Sequence, residues 1–343
     1  MDILQQLSEA MGVSGAEQEV RRIIRDMIAD HVDEIETDTM GNLFATKYAS
    51  SETDFTVMVD AHMDEVGMMV MGHNGDGTLK IAAVGGLDDR LLPGLRVLVG
   101  PKKIPGVIGA KPVHLLSGGE YNSVTKIDNL RVDIGLSKKE AAKGKAPLGT
   151  RIGFASEFTD LGAMLRGKSF DDRVGCAVLV HLLQGERYPF NLVGAFTVQE
   201  EVGLRGATIA ANRIKPHVGV ALEGTIADDL PKEGDTSPTT ELGKGPALSV
   251  MDRSVIYDAR LNNLFVETAD ELCIPYQFKQ PGIGGTDGGA INRSEGGVPV
   301  VAVSVPCRYI HSPRAMLHKD DYLNTIELVR AGLARLAPAV VAR

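Results

Sequence analysis

Residues 191–198, NLVGAFTV, form a continuous apolar run with none of the alternation expected of a strand that has one wet face. Such a run is the mark of a strand buried on both sides in a parallel sheet, and a parallel sheet needs helices in its crossovers. Strand-like runs recur at residues 42–47, 55–61, 218–222, 247–251, 276–279 and 298–305. Between them lie helical signals at 173–183, 206–212 and 264–272, and a last helix whose Leu323, Ile326, Val329 and Leu333 share a face, with Asp320 as its expected cap. Near the start, Ser14-Gly-Ala-Glu17 reads as a capping box for an amphipathic helix from residue 15 to about 30.

One stretch breaks the alternation. From about residue 66 to 166 the chain is cut into short apolar pieces by Gly and Pro: VGMMVM, LKIAAV, LRVLVG, PGVIGA, LRVDIG and RIGFAS. Only Ser137-Lys-Lys-Glu140 signals a helix there, again as a capping box. The expected architecture is an α/β domain with a mostly parallel central sheet, built from residues 1–66 and 165–343, into which a small all-β, barrel-like domain of residues 67–164 is inserted. A length of 343 residues, beyond what one core usually supports, agrees with two domains.

A net charge of −9 with no lysine-rich block argues against a nucleic-acid partner. No apolar run reaches the ~18 residues that would mark a membrane span. The first fifteen residues carry Asp2 and Glu9 and lack the basic-then-apolar pattern of a secretory signal. Cys176, Cys273 and Cys307 are odd in number and widely spaced, which fits reduced thiols and a cytoplasmic location.

Chemistry collects where the strand-like runs stop. FTVMVDA leads into His62-Met-Asp64, NLVGAFTVQ into Glu200-Glu201, VGVAL into Glu223, and VPVVAVSVPCRYI into His311. Open parallel sheets bind their ligands just beyond strand carboxyl ends. Asp171-Asp172-Arg173 precedes a buried helix and reaches the same crevice if a strand-to-helix turn comes before it. A lone His after a strand is more often a hydrogen-bonded structural residue than a ligand. His62 differs, because Asp64 is placed to orient its ring. Glu200 and Glu201 directly follow an apolar run, and burying two anions there is costly unless a cation offsets them. Asp171-Asp172 also suits an ordinary helix N-terminus. His114, His181, His217 and His318 have no carboxylate arrangement that recommends them. Gly282-Ile-Gly-Gly-Thr-Asp-Gly-Gly289 lacks the spacing and the Lys of a phosphate-binding P-loop, so a loop that lets backbone approach a substrate is expected.

Taken in order, MVDAHMDEVG, KSFDDRVGC, FTVQEEVGLRGA, ALEGTIADDLP, GGTDGGAI and VPCRYIHSP resemble the motifs of the TET-type dinuclear metallo-aminopeptidases, the glutamyl and deblocking aminopeptidases, over nearly the whole chain. The resemblance implies a phosphorylase/hydrolase-like catalytic domain and an inserted β domain that forms dimers, which build a tetrahedral dodecamer. It implies two divalent ions per subunit, Zn or Co by the donor types. Asp171 would bridge them, His62 and Glu223 would complete one set, and Glu201 and His311 the other. Many relatives have Asp at the Glu223 position; the longer side chain still reaches. Glu200 would be the general base, Asp64 the residue orienting His62, and Thr286 and Asp287 would position a peptide with a free N-terminus. A cis peptide after Asp171 is implied as well. Two rival readings are a glycoside hydrolase of endoglucanase type using paired carboxylates, and an inactive peptide-binding scaffold. The first is disfavoured because neighbouring residues on an extended segment point apart. A preference for acidic N-termini would need a basic group in the first pocket, for which several Arg and Lys residues, including Arg253, Arg260 and Arg308, are candidates without a choice among them.

Overall fold

The computed structural model describes residues 1–231 and 237–342. The apolar runs become the centre of an eleven-stranded sheet. Asn191–Thr197, Thr56–His62, Val218–Ile226 and Val300–Arg308 lie side by side and mutually parallel in that order. The flanks are antiparallel. Glu34–Thr37 and Leu43–Lys47 extend one side, and Ala315–His318, Met164–Gly167 and Thr159–Asp160 the other.

The missing alternation in the central strands has a direct cause. Val57, Val59 and Ala61 pack into the core on one face, with Leu4, Ile24, Val178 and Phe265. Met58 between them packs into the core on the other face, with Ala207, Ala210 and Ile291. Both faces are dry, so both need apolar side chains. Register then levels the strand ends: Thr197 pairs with His62, and Ala221 with Asp60, which brings Glu223 to the height of His62.

The inserted segment is a closed antiparallel barrel of six strands: Gly67–His73, Leu79–Val84, Arg131–Asp133, Ile104–Gly109, Arg96–Val99 and Arg151–Phe154. Closure leaves no free sheet edge. Met68, Val70, Ile81, Val97, Ile108 and Phe154 belong to a separate core inside it. Among the described residues, no helix is long and apolar enough to cross a membrane.

Several local expectations are corrected. A helix at Asp2–Glu9, unmarked by any capping signal, buries Leu4 and Leu7. The second helix starts only at Gln18: Ser14 Oγ donates to Asp64 instead of capping, and Glu17 accepts from Gly15 N–H. The Lys139–Lys145 helix also lacks its box, since Glu140 pairs with Lys143. The last long helix, Lys319–Arg335, is capped by the His318 side chain, which accepts from Asp320 N–H. Leu323 is half exposed there, and the buried face runs through Tyr322, Leu328, Val329 and Leu333.

Candidate metal centre

His62 ends its strand 1% exposed. Its Nε2 lies 3.2 Å from Asp171 Oδ1, and 3.8 Å from both Glu200 Oε2 and Glu223 Oε2. On the other side of the ring, Nδ1 is 3.5 Å from Asp64 Oδ1. Asp64 is fully buried and accepts from Glu200 N–H (2.9 Å), Glu201 N–H (3.2 Å) and Ser14 Oγ (2.6 Å). One carboxylate therefore faces the imidazole and fixes the backbone that carries the two glutamates. Burial opposes its charge, but the His62 ring and these donors hold it below the ordinary range. Asp64→Asn is expected to lower metal affinity or turnover ~10–100-fold, the usual cost of losing a partner that orients a ligand; titration of the apo protein with Zn checks this.

Asp171 sits in the turn entering the Phe170–Gln184 helix, where Asp171 and Asp172 leave helical geometry and the peptide between them is cis. The turn rests on the strand that bears Glu223. A Cβ on Gly224 would lie 2.9 Å from Phe170 O and 3.0 Å from Asp171 Cα, so only glycine fits next to Glu223. Asp171 aims Oδ1 at His62 and Oδ2 at His311 Nε2, 3.3 Å away. Asp172 also comes near: ligand atoms of His62, Asp172 and Glu223 lie within 4.8 Å of one another, as do those of Asp171, Glu201 and His311. Its oxygens, however, accept from His62 N–H (3.2 Å) and Gly175 N–H (2.9 Å). Asp172 is tied into the backbone, whereas Asp171 faces the two imidazoles.

Glu200 and Glu201 are not on an extended segment. The strand stops at Thr197, Gln199 is left-handed (φ 59°), and the N–H groups of Gly203 and Leu204 close a turn on Glu200 O at 2.8 and 2.9 Å. Both carboxylates consequently line one cleft, and the ground on which paired-carboxylate chemistry was disfavoured falls away. Glu201 Oε1 is 3.3 Å from His311 Nε2. His311 Nδ1 hydrogen-bonds Gly86 O (3.0 Å), in the loop leaving the barrel strand Leu79–Val84.

The electrostatics fit a cation. Burial, then the Asp171 charge, pushes Glu201 up to about 8. Burial together with neighbouring carboxylates drives Glu200 and Glu223 well above the ordinary value. Burial lowers the His311 imidazole, yet Asp171 and Glu201 outweigh it and bring the ring to about 9. Glu201 Oε1 and His62 Nδ1 are buried without a hydrogen-bond partner. Four carboxylates, Asp171, Glu200, Glu201 and Glu223, crowd two imidazoles, an arrangement that protein groups alone leave poorly compensated and that divalent cations would offset.

The cleft beside this cluster, about 330 Å³, is also lined by Thr225, Ile226, Lys279, Thr286 and Ser304. Thr286 reaches its wall, although its hydroxyl caps the helix Asp287–Asn292 and bonds Tyr257 Oη (2.7 Å). Asp287 does not reach it. Fully buried, it accepts from Thr197 Oγ1 (2.7 Å) and presses on Asp60, and burial raises it to about 6. The expectation of a substrate contact at Asp287 is corrected to a brace behind the His62 strand. A second brace had no obvious sequence signal. Lys168 donates to both Glu65 oxygens (2.7 and 2.8 Å), and Arg173 Nε donates to Met63 O (2.8 Å), tying the end of the His62 strand to the Asp171 turn. Opposite charges in DEVG and KSFDDR were the only hint.

Glu17, 2% exposed, lies close to Asp64, and burial followed by the Asp64 charge raises it from 4.5 to about 7. Below pH 4.5 both folded and unfolded chains hold this proton. Between 4.5 and about 7 only the folded chain keeps it, so the contribution to stability is lost as pH rises through that window. Glu17→Gln mimics the protonated form. It should add about 2–3 kcal/mol at pH 8 and little at pH 4.5, measured from urea unfolding midpoints at the two pH values; an equal effect at both would contradict the assignment.

Residues 41–328 match the family model described as M42 glutamyl aminopeptidase. A putative aminopeptidase of Acetivibrio thermocellus is 37% identical over 329 residues, 96% of this chain and 96% of that protein. A lysyl aminopeptidase of Pyrococcus furiosus is 32% identical over 349 residues, 98% of this chain and 97% of that one. Among solved structures, the TET1 peptidase of Pyrococcus horikoshii, which can assemble into a tetrahedron or a large octahedral shell, aligns with a TM-score of 0.86 at 32% identity, covering 98% of this chain and 99% of that one. A family match over most of the chain, a shared fold and a cation-ready cluster at the strand ends lead to one assignment: the chain belongs to the M42 glutamyl aminopeptidase family.

Proposed function

We propose that this metal-dependent aminopeptidase removes N-terminal residues from peptides with two divalent ions per subunit, Zn or Co, held by His62, Asp171 and Glu223 on one side and by Asp171, Glu201 and His311 on the other. The observation that carries the reading is Asp171, whose two oxygens face one imidazole each at 3.2 and 3.3 Å. When bound, such ions polarise the scissile carbonyl and lower the pKa of the attacking water towards ~7. Glu200 takes the water's proton and returns it to the leaving amine. Asp64 holds His62 and the Glu200 backbone in place, and Gly86 O fixes the His311 ring.

Residues 1–66 and 165–343 would form the catalytic body and 67–164 the module through which copies associate, as dimers building a tetrahedral dodecamer. Exposed Val107, Val113, Leu115, Tyr121 and Val124 on the inserted segment support that role, as does the assembly of the P. horikoshii relative. Work in the cytoplasm is supported by three unpaired cysteines.

The test is release of arylamine from Leu-, Glu-, Lys- and Ala-arylamides by metal-stripped protein reconstituted separately with Zn, Co and Mn. Turnover should return with metal and vanish again with EDTA. Hydrolysis of a β-glucan that survives EDTA would favour the glycosidase, and no release with any metal would favour the inactive scaffold.

A further inference from the structure

Ala10-Met-Gly-Val-Ser14 carries none of the residue types that mark a metal site, yet every residue of it is buried. Backbone bonds pin the loop to the segment just after His62. Ser14 N–H donates to Glu65 O (3.3 Å), Glu65 N–H to Gly12 O (3.0 Å), and Gly12 N–H to Glu65 Oε1 (2.8 Å). The barrel holds the other side of the loop, with Arg151 Nε donating to Ser14 O (2.8 Å).

From this fixed backbone the Ser14 hydroxyl donates to Asp64 Oδ2 at 2.6 Å, the shortest of the three hydrogen bonds that Asp64 accepts. The other oxygen, Oδ1, accepts from Glu200 N–H (2.9 Å) and faces His62 Nδ1, which has no hydrogen-bond partner, at 3.5 Å. The last torsion of an aspartate side chain is soft, so its oxygens keep distinct places only where different donors hold them. Among the described residues Ser14 supplies the one side-chain hydroxyl on Asp64. Ser14 is 2% exposed and Asp64 fully buried, so bulk solvent is not at hand to replace that donor.

We propose that Ser14 is a positioning residue of the metal centre: its hydroxyl holds Asp64 Oδ2 so that Oδ1 is turned to the His62 ring, whose Nε2 faces Asp171. Ser14 itself reaches neither substrate nor ion. The proposal rests on the metal-dependent reading of the same site, and it carries the support of His62 out to the loop that precedes the helix Gln18–Ile28.

The experiment compares wild type, Ser14→Ala, Ser14→Cys, Asp64→Asn and the double variant Ser14→Ala/Asp64→Asn. Zn affinity of the apo proteins is read by competition with a chromophoric chelator, apo stability by thermal melting, and the surroundings of the ions by the visible spectrum of the Co-loaded forms. Ser14→Ala should bind Zn ~10-fold more weakly, the low end for losing a group behind a ligand, because it acts through Asp64. Its Co spectrum should shift while the apo protein melts close to wild type. Ser14→Cys refills the volume with a weaker donor and should fall between the two. In the Asp64→Asn background the same removal should add at most ~2-fold, since two residues acting through one contact are not additive.

Unchanged Zn affinity in Ser14→Ala overturns the proposal, as does an equal loss in both backgrounds. Wild-type affinity in Ser14→Cys would show that volume alone matters and would also overturn it. So would a loss of affinity that comes with a collapse of apo melting and an unshifted Co spectrum, which marks a purely structural role. A wild type that takes up neither Zn nor Co would instead sink the metal-dependent reading itself.

Discussion

Glu200→Gln should keep its metal and lose turnover by at least ~10²-fold, the lower range for a general acid-base group. The amide keeps the shape of the carboxylate but cannot accept the proton of the attacking water. Metal retention is expected because the proposed ligands His62, Asp171, Glu201, Glu223 and His311 are all untouched by the substitution. The Glu200 N–H held by Asp64 belongs to the backbone, so the turn should survive the substitution. Metal analysis alongside arylamide kinetics checks both halves. Near-normal turnover would remove Glu200 from the mechanism, and loss of metal would make it a ligand instead.

Asp171→Asn should have the larger effect. Among the described residues its carboxylate is the only one aimed at both imidazoles, and an amide supplies neither the charge nor a second equivalent oxygen. Metal content should fall from the proposed two per subunit to one or fewer. Loss of the several kcal/mol of charge stabilisation that a Lewis acid supplies corresponds to a drop of ~10³-fold or more in kcat. A thermal readout separates this from misfolding. The wild-type protein should gain Tm on addition of Zn, as any ligand specific to the folded state requires. The variant should lose that gain while its apo form, relieved of one anion in a crowded cluster, stays folded. A full Zn-dependent shift in the variant would show that Asp172 can take over.

Which parts of the site were legible follows from what each residue depends on. Glu200 and Glu201 stand out because anions directly after a strand buried on both faces need compensation, and that needs no knowledge of distant segments. His62 with Asp64 is nearly as local. Asp171, Glu223 and His311 come together at the cluster only through strand register and the turn seated on Gly224, so they were reached through resemblance. Asp287 was placed on the wrong side because the glycine-rich stretch reads as one loop, whereas its second half is a short helix facing Thr197. The capping boxes failed for a related reason: Ser14 Oγ donates to Asp64, fifty residues away, instead of accepting from the first-turn N–H groups of its own helix.

The barrel lies between two residues that must meet. His62 and Asp171 are 109 positions apart, yet Nε2 and Oδ1 are 3.2 Å apart. As a flexible tether, that stretch would make their encounter a slow, high-contact-order event. The barrel instead has its own core and closes on itself from Gly67 to Phe154, so once formed it leaves only about twenty loose residues between the two. On a logarithmic loop-closure scale the shortening is worth about 1–2 kcal/mol of chain entropy. The insert thus acts on refolding as an internal splint, and a barrel-core lesion such as Val97→Asp should delay recovery of the site more than it weakens the sheet that carries it.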